Sequence, residues 1–399
     1  MEYNSDFFNF IEKNRNEDPG KMRLKYHGKD MGFDIDFAAT QIECRRKFRN
    51  KFRDFLSCSS ILFPSCLAGE QATHQAVAKF HASLVSHQDK ILDMTAGLGI
   101  DALAMAENGA KVFAIEKDLL KAEILKYNAT QIGLSLEVIN DDSVKFLQET
   151  KDFFDIIFID PARRNEKGSK VFLLEECQPD ILKFMDLLLL KANRILIKVS
   201  PMLDVSSILK KLNVAVISAV SMSGECKELL IQLDNKRETK EIKLQAINLN
   251  KDGEIISDFQ FFHNCNPLEI LDFNYLSNLT DLQNSYLYEP NASIMKFAPW
   301  NELHLNYPEL IKIAPSSHLF VSKEFYHDFP GRKMKIEKII DKKDLKSLLN
   351  KHLNIVSRNY PLSAEKIRKR YKIKEGDEKF LFATTLSNKV GIMILGSKI

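Results

Sequence analysis

Nowhere in the 399 residues does an apolar run approach the roughly 18 needed to cross a bilayer; the longest obvious one, Leu187 to Leu190, stops at Lys191. No membrane partner is expected. The opening Met-Glu-Tyr-Asn-Ser-Asp has neither a basic start nor an apolar core, so no secretory leader is expected either. Cysteine is sparse. The six, Cys44, Cys58, Cys66, Cys177, Cys226 and Cys265, include no Cys-x-x-Cys pair and no histidine in ligand spacing. That pattern argues against a zinc site and a disulfide scaffold, so a soluble cytoplasmic protein without a metal is the expectation. Repeats and low-complexity tracts are also missing. What is present is ordinary globular composition, 45% apolar and 28% charged, and enough chain for two or three domains of roughly 100 to 200 residues.

The net charge of +3 is unevenly spread. From Lys323 to the end there are 19 Lys and Arg against 9 Asp and Glu, leaving 38 against 45 in the rest. A basic C-terminal region fits a polyanion partner, since phosphate neutralisation dominates nucleic-acid affinity; a solvated lysine-rich face is the competing reading.

The first 88 residues read as helical, with apolar groups at helical spacing in Phe37 to Phe52 and again from Glu70 to Val85. From residue 89 the pattern changes. Ile91–Met94, Lys111–Ile115, Leu136–Ile139, Asp155–Ile159 and Arg194–Val199 are strand candidates, with helical spans between the first four and an apolar helix expected over Leu173–Leu190. This alternation specifies a parallel, doubly wound sheet over 89–235. Val214–Val220 and Leu229–Leu233 should close it as an antiparallel pair at the far edge. Beyond Asn235 the pattern is irregular, with a turn into a helix near Asn291, strands at His318–Ser322 and Lys379–Thr385, and a basic helix at Ala364–Tyr371.

The strongest local signal is Asp93-Met-Thr-Ala-Gly-Leu-Gly, between the first strand and its helix. Gly97 and Gly99 allow close backbone approach by a ligand, and Asp93 places a carboxylate at the strand's C-terminal edge, where open α/β sheets bind. Ala102 stands where a dinucleotide fingerprint has its third glycine. Asp93 would repel a pyrophosphate but suits the ammonium of a methionine moiety. Glu116 ends the second strand, where a carboxylate meets ribose hydroxyls, a placement that also fits NAD. Asp141-Asp142-Ser143 ends the third and offers an acceptor to an adenine amine, and the fourth ends in Asp160-Pro161-Ala162-Arg163-Arg164. Asp160 stands where a nucleophile must be placed and its proton directed; the arginines could hold a substrate phosphate or pair with acids.

These motifs resemble those of class I S-adenosylmethionine-dependent methyltransferases. More narrowly, Glu70-Gln-Ala-Thr-His, Asp160-Pro-Ala-Arg-Arg, Lys198-Val-Ser-Pro-Met-Leu-Asp, Glu225-Cys-Lys-Glu, Tyr288-Glu-Pro-Asn-Ala-Ser-Ile-Met and Phe329-Pro-Gly-Arg resemble the bacterial members that carry a ferredoxin-like segment and a C-terminal THUMP-like domain. The resemblance spans almost the whole chain. It implies a helical N-terminal domain (1–88), a Rossmann-like core with a seven-stranded, mostly parallel sheet and an antiparallel last strand (89–235), a connecting region (236–322) with the ferredoxin-like segment from about 280, and a THUMP-like domain (323–399). It implies S-adenosylmethionine as cofactor, held by Asp93, Thr95, Ala96, Gly97, Gly99, Glu116, Lys117, Asp142 and Ser143. It also implies a structured RNA, tRNA or rRNA, as substrate, bound through the basic C-terminal module, where Lys366, Arg368, Lys369, Arg370, Lys372 and Lys374 surround Tyr371.

The reacting atom is left open between a base nitrogen and a ribose 2′-oxygen. The motif after Asp160 departs from the Pro-Pro-aromatic pattern of base-amine enzymes, with Phe172 or another loop aromatic as a possible substitute for stacking on a flipped base. Carbon methylation lacks its thiolate, Cys177 and Cys226 reading as small packed or loop residues. Asp160, Lys198 and Glu228 stand at positions similar to three members of the Lys-Asp-Lys-Glu tetrad of ribose methyltransferases, with Lys79 or Lys90 as the missing lysine. The plainer alternative is that Lys198 pairs with a neighbouring acid. The catalytic set expected is therefore Asp160, Pro161, Arg163, Lys198 and Glu228. An RNA-binding protein that keeps the pocket without catalysis is the alternative function.

Overall fold

The computed structural model describes residues 4–162, 174–236, 241–263, 275–276, 282–340, 344–376 and 378–399. The chain divides into two compact units. One comprises Met1–Ser223, Lys227–Lys243 and Leu249–Ile256, the other Gly224–Cys226, Leu244–Asn248 and Ser257–Ile399.

The first unit begins with three capped helices, α1 (Ser5–Lys13), α2 (Pro19–Tyr26) and α3 (Ile35–Phe48). Asn4, Asp18 and Asp34 each accept a backbone N–H of the first turn, satisfying donors that a helix start leaves orphaned. Phe7, Phe10, Met22, Ala38 and Ile42 close a core between them. The helix expected from Glu70 to Val85 is in fact two, α4 (Cys66–Gln71) and α5 (Gln75–Ser83). Ala72 is extended, and the His74 ring accepts from Ala76 N to cap the second helix. A cap supplied by histidine, with no glycine or proline to announce it, makes this break hard to read from sequence.

The sheet strands of this unit are β1 (Lys90–Asp93), β2 (Lys111–Ile115), β3 (Glu137–Ile139), β4 (Phe154–Ile159), β5 (Ala192–Val199), β6 (Val216–Met222) and β7 (Glu225–Asp234). Their order is β3-β2-β1-β4-β5-β7-β6. The first five are parallel, and β7 runs antiparallel to β5 with Lys198 opposite Leu230. β7 thus inserts between β5 and β6. Helices α6 (Ile100–Glu107), α7 (Leu119–Gln131) and α8 (Ser143–Glu149) make the early crossovers, and α9 (Met185–Lys191) and α10 (Val205–Lys211) the later ones. The apolar helix expected over Leu173–Leu190 is instead two short 3-10 turns, Leu174–Glu176 and Ile181–Phe184, followed by α9. Pro179 lies between the turns, and a residue without an N–H cannot continue a helix.

β8 (Ile242–Leu249) and β9 (Ile255–His263) have residues in both units and follow β6 in the same sheet, which therefore has nine strands where seven were expected and does not end at the β6–β7 pair. The second unit then continues with β10 (Tyr286–Pro290), α11 (Ala292–Phe297), α12 (Trp300–Asn306), β11 (Ile311–Lys312), β12 (Phe320–Ser322), β13 (Gly331–Ile340), β14 (Asn354–Ser357), α13 (Ala364–Tyr371), β15 (Lys379–Thr385) and β16 (Gly391–Lys398). One sheet joins its strands in the order β11-β12-β10-β13-β16-β15-β14, antiparallel except between β14 and β15. Alternation in β15 sends Phe380 and Phe382 to one core and Leu381 and Ala383 to the other, which α13 covers with Ile367 and Tyr371. Asn291 occupies the N-cap of α11, though its side chain makes no cap bond. Among the described residues no helix is long and apolar enough to cross a membrane, and no group of three His, Cys, Asp or Glu side chains could hold a metal ion.

Candidate active site

The loop after β1 is shaped by its glycines. Gly97 and Gly99 have φ of +56° and +83°, the left-handed region that favours glycine. A Cβ on Gly99 would stand 2.0 Å from Leu125 Cδ1, so that glycine also lets α7 pack. A Cβ on Gly97 would meet nothing closer than Thr95 O at 3.8 Å, which leaves that backbone open to a ligand. Thr95 ties the strand ends together. Its N–H donates to Asp93 Oδ1 at 3.0 Å, and its hydroxyl oxygen accepts from Asp160 N at 2.7 Å. Ala96 is anchored by its N–H to Ile115 O.

Glu116 accepts from Gly97 N at 2.9 Å and from Asp118 N at 2.8 Å, which fixes the β2 carboxylate against the glycine loop. Asp142 is partly committed: its Oδ1 caps α8, accepting from Val144 N and Lys145 N, and Lys117 Nζ is 3.5 Å from Oδ2. Those backbone donors hold its carboxyl below the usual range. Ser143 is the first residue of α8.

Asp93 is buried at the end of β1, and it makes no salt bridge among the described residues. Burial, together with the nearby Asp101, Asp160 and Glu116 carboxylates, pushes it up to about 8 against one opposing hydrogen bond from Thr95. An acid so placed favours a cationic ligand group. The ends of β1 and β2 thus present a buried carboxylate at Asp93, an unobstructed backbone at Gly97 and a fixed carboxylate at Glu116.

Next to these groups lies a buried polar chain. Lys198 Nζ donates to Asp160 Oδ2 at 2.6 Å and to Thr73 Oγ1 at 2.7 Å. Thr73 in turn donates to Asp101 Oδ2. Asp101 Oδ1 is 2.8 Å from His81 Nδ1, and His81 Nε2 is 2.5 Å from Glu228 Oε1. Topology explains the meeting: Lys198 lies beside the end of β4, and Leu230, its cross-strand partner, is two residues from Glu228, so both side chains share a face. Burial alone would lower the His81 imidazole, but Glu228 and Asp101 on either side push it up to about 10. Lys198 behaves alike. Desolvation is outweighed by Asp160, Asp101 and Glu228, and its ammonium is held well above the ordinary lysine value.

Several expectations change here. Three of the four tetrad-like residues lie together, Lys198 donating to Asp160 with Glu228 among the carboxylates that raise it, and Glu228 also bonds His81. Lys79 is not the missing fourth, because it pairs with Asp54 at 2.6 Å. Lys90 opens β1, at the opposite end from Asp93, and pairs with Asp152 at 2.8 Å. Tyr371, expected among the basic residues of α13 as an accessible aromatic, is buried in the core instead. Helical spacing aligns it with Ile367 on the inward face. Pro161 is buried and Ala162 pairs with Gln178. Arg163, with Arg164 and Phe172, lies outside the described residues.

Sequence reasoning gave no role to Thr73, which lies in the Glu70-Gln-Ala-Thr-His motif, and missed His81 and Lys51. Thr73 and His81 fall in the stretch read as one helix, where a histidine on a buried face looks like packing until its acid partners are known. Lys51 donates to Gly69 O and Glu70 O, both at 2.9 Å. Its burial and the charges of Lys198 and Lys227 lower it to about 8.

Three family models match the chain: "Putative SAM-dependent methyltransferase" over residues 66–171, a ferredoxin-like domain over 286–330 and a THUMP domain-like segment over 331–398. Together they cover more than half of it. S-adenosylmethionine is the cofactor of the matched family. A crystal structure of a "putative methyltransferase" from Porphyromonas gingivalis W83 aligns over 100% of both chains with a TM-score of 0.81 and 28% identity. An "Uncharacterized RNA methyltransferase" of Mycoplasma mobile is 24% identical over 163 residues, 40% of this chain and 44% of its own length. "Ribosomal RNA small subunit methyltransferase J" of Francisella philomiragia is 37% identical over 92 residues, 20% of this chain and 38% of that one. The chain thus spans less than half the length of these curated relatives. Loop, carboxylate ladder and domain succession agree: the chain carries, in order, an S-adenosylmethionine-dependent methyltransferase domain, a ferredoxin-like domain and a THUMP-like domain.

Proposed function

We propose that this protein methylates RNA, and that the acceptor is an exocyclic nitrogen of a base. Bound S-adenosylmethionine supplies an electrophilic methyl group. The chain's own residues hold and orient: Asp93 takes the ammonium, Gly97 and Gly99 admit the amino acid portion, Glu116 meets the ribose, and Asp142 with Lys117 and Ser143 borders the base. The names of the curated relatives and the THUMP-like segment support RNA as the acceptor class. Exposed Lys366, Lys369, Arg370, Lys372 and Lys374 on and after α13 offer phosphate contacts.

The observation that carries the choice of atom is the pairing of Asp160. Its Oδ2 is taken by Lys198, whereas Oδ1 makes no hydrogen bond among the described residues. A free carboxylate oxygen at the strand end can accept an N–H of an amine and aim the nitrogen lone pair at the methyl. Methylation of a ribose hydroxyl would need the Lys198 ammonium turned toward that hydroxyl, whereas two of its three donors are held by Asp160 and Thr73.

Two measurements test this reading. Calorimetry with S-adenosylhomocysteine and with NAD should show binding of the first alone. Nucleoside mass spectrometry of ribosomal and transfer RNA from cells with and without the gene should show one methylated base lost with the gene. Cofactor binding with no difference in any RNA favours the alternative, a binding protein without turnover.

A further inference from the structure

The three N-terminal helices border an open groove of about 1370 Å³ whose lining includes Arg15, Arg23, Arg45, Arg46, Lys47 and Arg49. That volume exceeds the roughly 300 to 1000 Å³ of small-molecule pockets. Three acids, Glu12, Asp18 and Glu43, share the lining. They neutralise only part of the charge. Arg15 pairs with Glu12, Arg23 lies 3.5 Å from Asp36 and 3.8 Å from Glu43, and Lys47 pairs with Glu70.

The other three cations are treated differently. Arg45 donates to Ser59 O at 2.7 Å and Ile61 O at 2.6 Å, and its buried Nε has no hydrogen-bond partner. Arg46 donates to Glu17 O at 3.0 Å. Arg49 is exposed and makes no ion pair among the described residues. Neutral carbonyls orient two of these guanidinium groups and leave their charge uncompensated. These cations stand at helix C-termini, where positive charge is favoured, Arg15 just past α1, Arg23 in the last turn of α2 and Arg49 at the C-cap of α3, but the helix dipoles do not require all three termini to line one groove. The chain that leaves the groove continues into the polar network of the site. Lys51, two residues past Arg49, contacts the end of α4, and the segment after α4 carries Thr73, which holds Lys198.

We infer that the groove formed by α1, α2 and α3 binds the phosphodiester backbone of the substrate RNA. This rests on the RNA reading above and adds a second binding surface, separate from the basic face of α13. A groove that reads phosphates alone contributes affinity and register, not sequence choice.

The test uses the full chain and an unmodified, fluorescein-labelled stem-loop RNA with single-stranded flanks, followed by anisotropy over a salt series. The variant R46A/R49A removes two exposed cations of the groove. The control K126A/K151A removes two exposed cations elsewhere. The groove variant should bind roughly tenfold more weakly and lose about 1.4 to 1.8 from the slope of log K against log salt, two phosphate contacts' worth. Its melting temperature and S-adenosylhomocysteine affinity should match those of the wild type, as should the control's RNA affinity. A groove variant indistinguishable from the control overturns the inference and leaves the RNA reading standing. A wild-type chain that binds no RNA removes both. Equal binding of poly-glutamate, with the same salt slope, would assign the groove to an acidic protein partner and overturn the inference.

Discussion

Lys198 on β5 and Asp160, the residue after the adjacent parallel strand β4, hold ammonium and carboxylate 2.6 Å apart. The pair joins the reacting edge of the sheet to the N-terminal helices, since the same ammonium is bonded to Thr73. Lys198→Met leaves the carboxylate without its cation and unties that link. Turnover should fall on the order of 100-fold, with S-adenosylhomocysteine affinity changed only a few-fold. Stability should fall by about 2 kcal/mol, less than for a fully buried pair because Asp160 is partly exposed. Chemical denaturation and single-turnover kinetics give the two numbers. Unchanged turnover would exclude Lys198 from the site.

Asp93 carries a pH signature. With its carboxyl at about 8 in the folded protein and near 4 when unfolded, the folded state holds the proton more tightly. Stability of the ligand-free protein should therefore decline as pH rises from about 4 to 8, and Asp93→Asn should raise its melting temperature at pH 8. Binding an ammonium needs the ionised acid. Affinity for S-adenosylhomocysteine should accordingly increase from pH 6 to 8 with proton release, seen by calorimetry in buffers of different ionisation heat. A flat profile would place the ammonium elsewhere.

His81 has the opposite sign. Its imidazolium is held up to about 10, against about 6.5 unfolded, so its contribution is full below 6.5 and is lost as pH rises through 10. His81→Asn removes the cation between Asp101 and Glu228, both buried, and should cost about 3 to 5 kcal/mol at neutral pH. The difference from wild type should shrink toward pH 10. A constant difference across that range would mean that His81 acts by packing alone.

The two loop glycines should respond differently to alanine. At Gly97 only the positive φ is strained, about 1 to 2 kcal/mol, so Gly97→Ala should leave the fold intact and weaken cofactor binding. At Gly99 the new Cβ also meets Leu125. Gly99→Ala should lower the melting temperature more, and Leu125→Ala should recover only part of the loss.

The parallel core was legible in the sequence because its signals are local. β2 matches its expected span, β1, β3, β4 and β5 start or end within two residues of theirs, and Asp93, Glu116, Asp142 and Asp160 stand in turn at or just past the ends of β1 to β4. A carboxylate at a strand exit needs only the alternation of strand and helix to be placed. Thr73 and His81 are different. Their roles depend on Asp101, Lys198 and Glu228, which come from three other elements, and the break that frees Thr73 is made by a histidine cap that no propensity marks. Tyr371 failed for a related reason: charge on either side of it says nothing about which way a helix turns.

The central claim is that Asp160 Oδ1 orients a base nitrogen in RNA. The most direct measurement is transfer of a deuterated methyl group from S-adenosylmethionine to unmethylated ribosomal RNA, followed by digestion and mass spectrometry of the nucleosides. The account predicts the label on an exocyclic nitrogen of one base, and its loss in Asp160→Ala. A label on a ribose oxygen or a base carbon, or full transfer by Asp160→Ala, would contradict it.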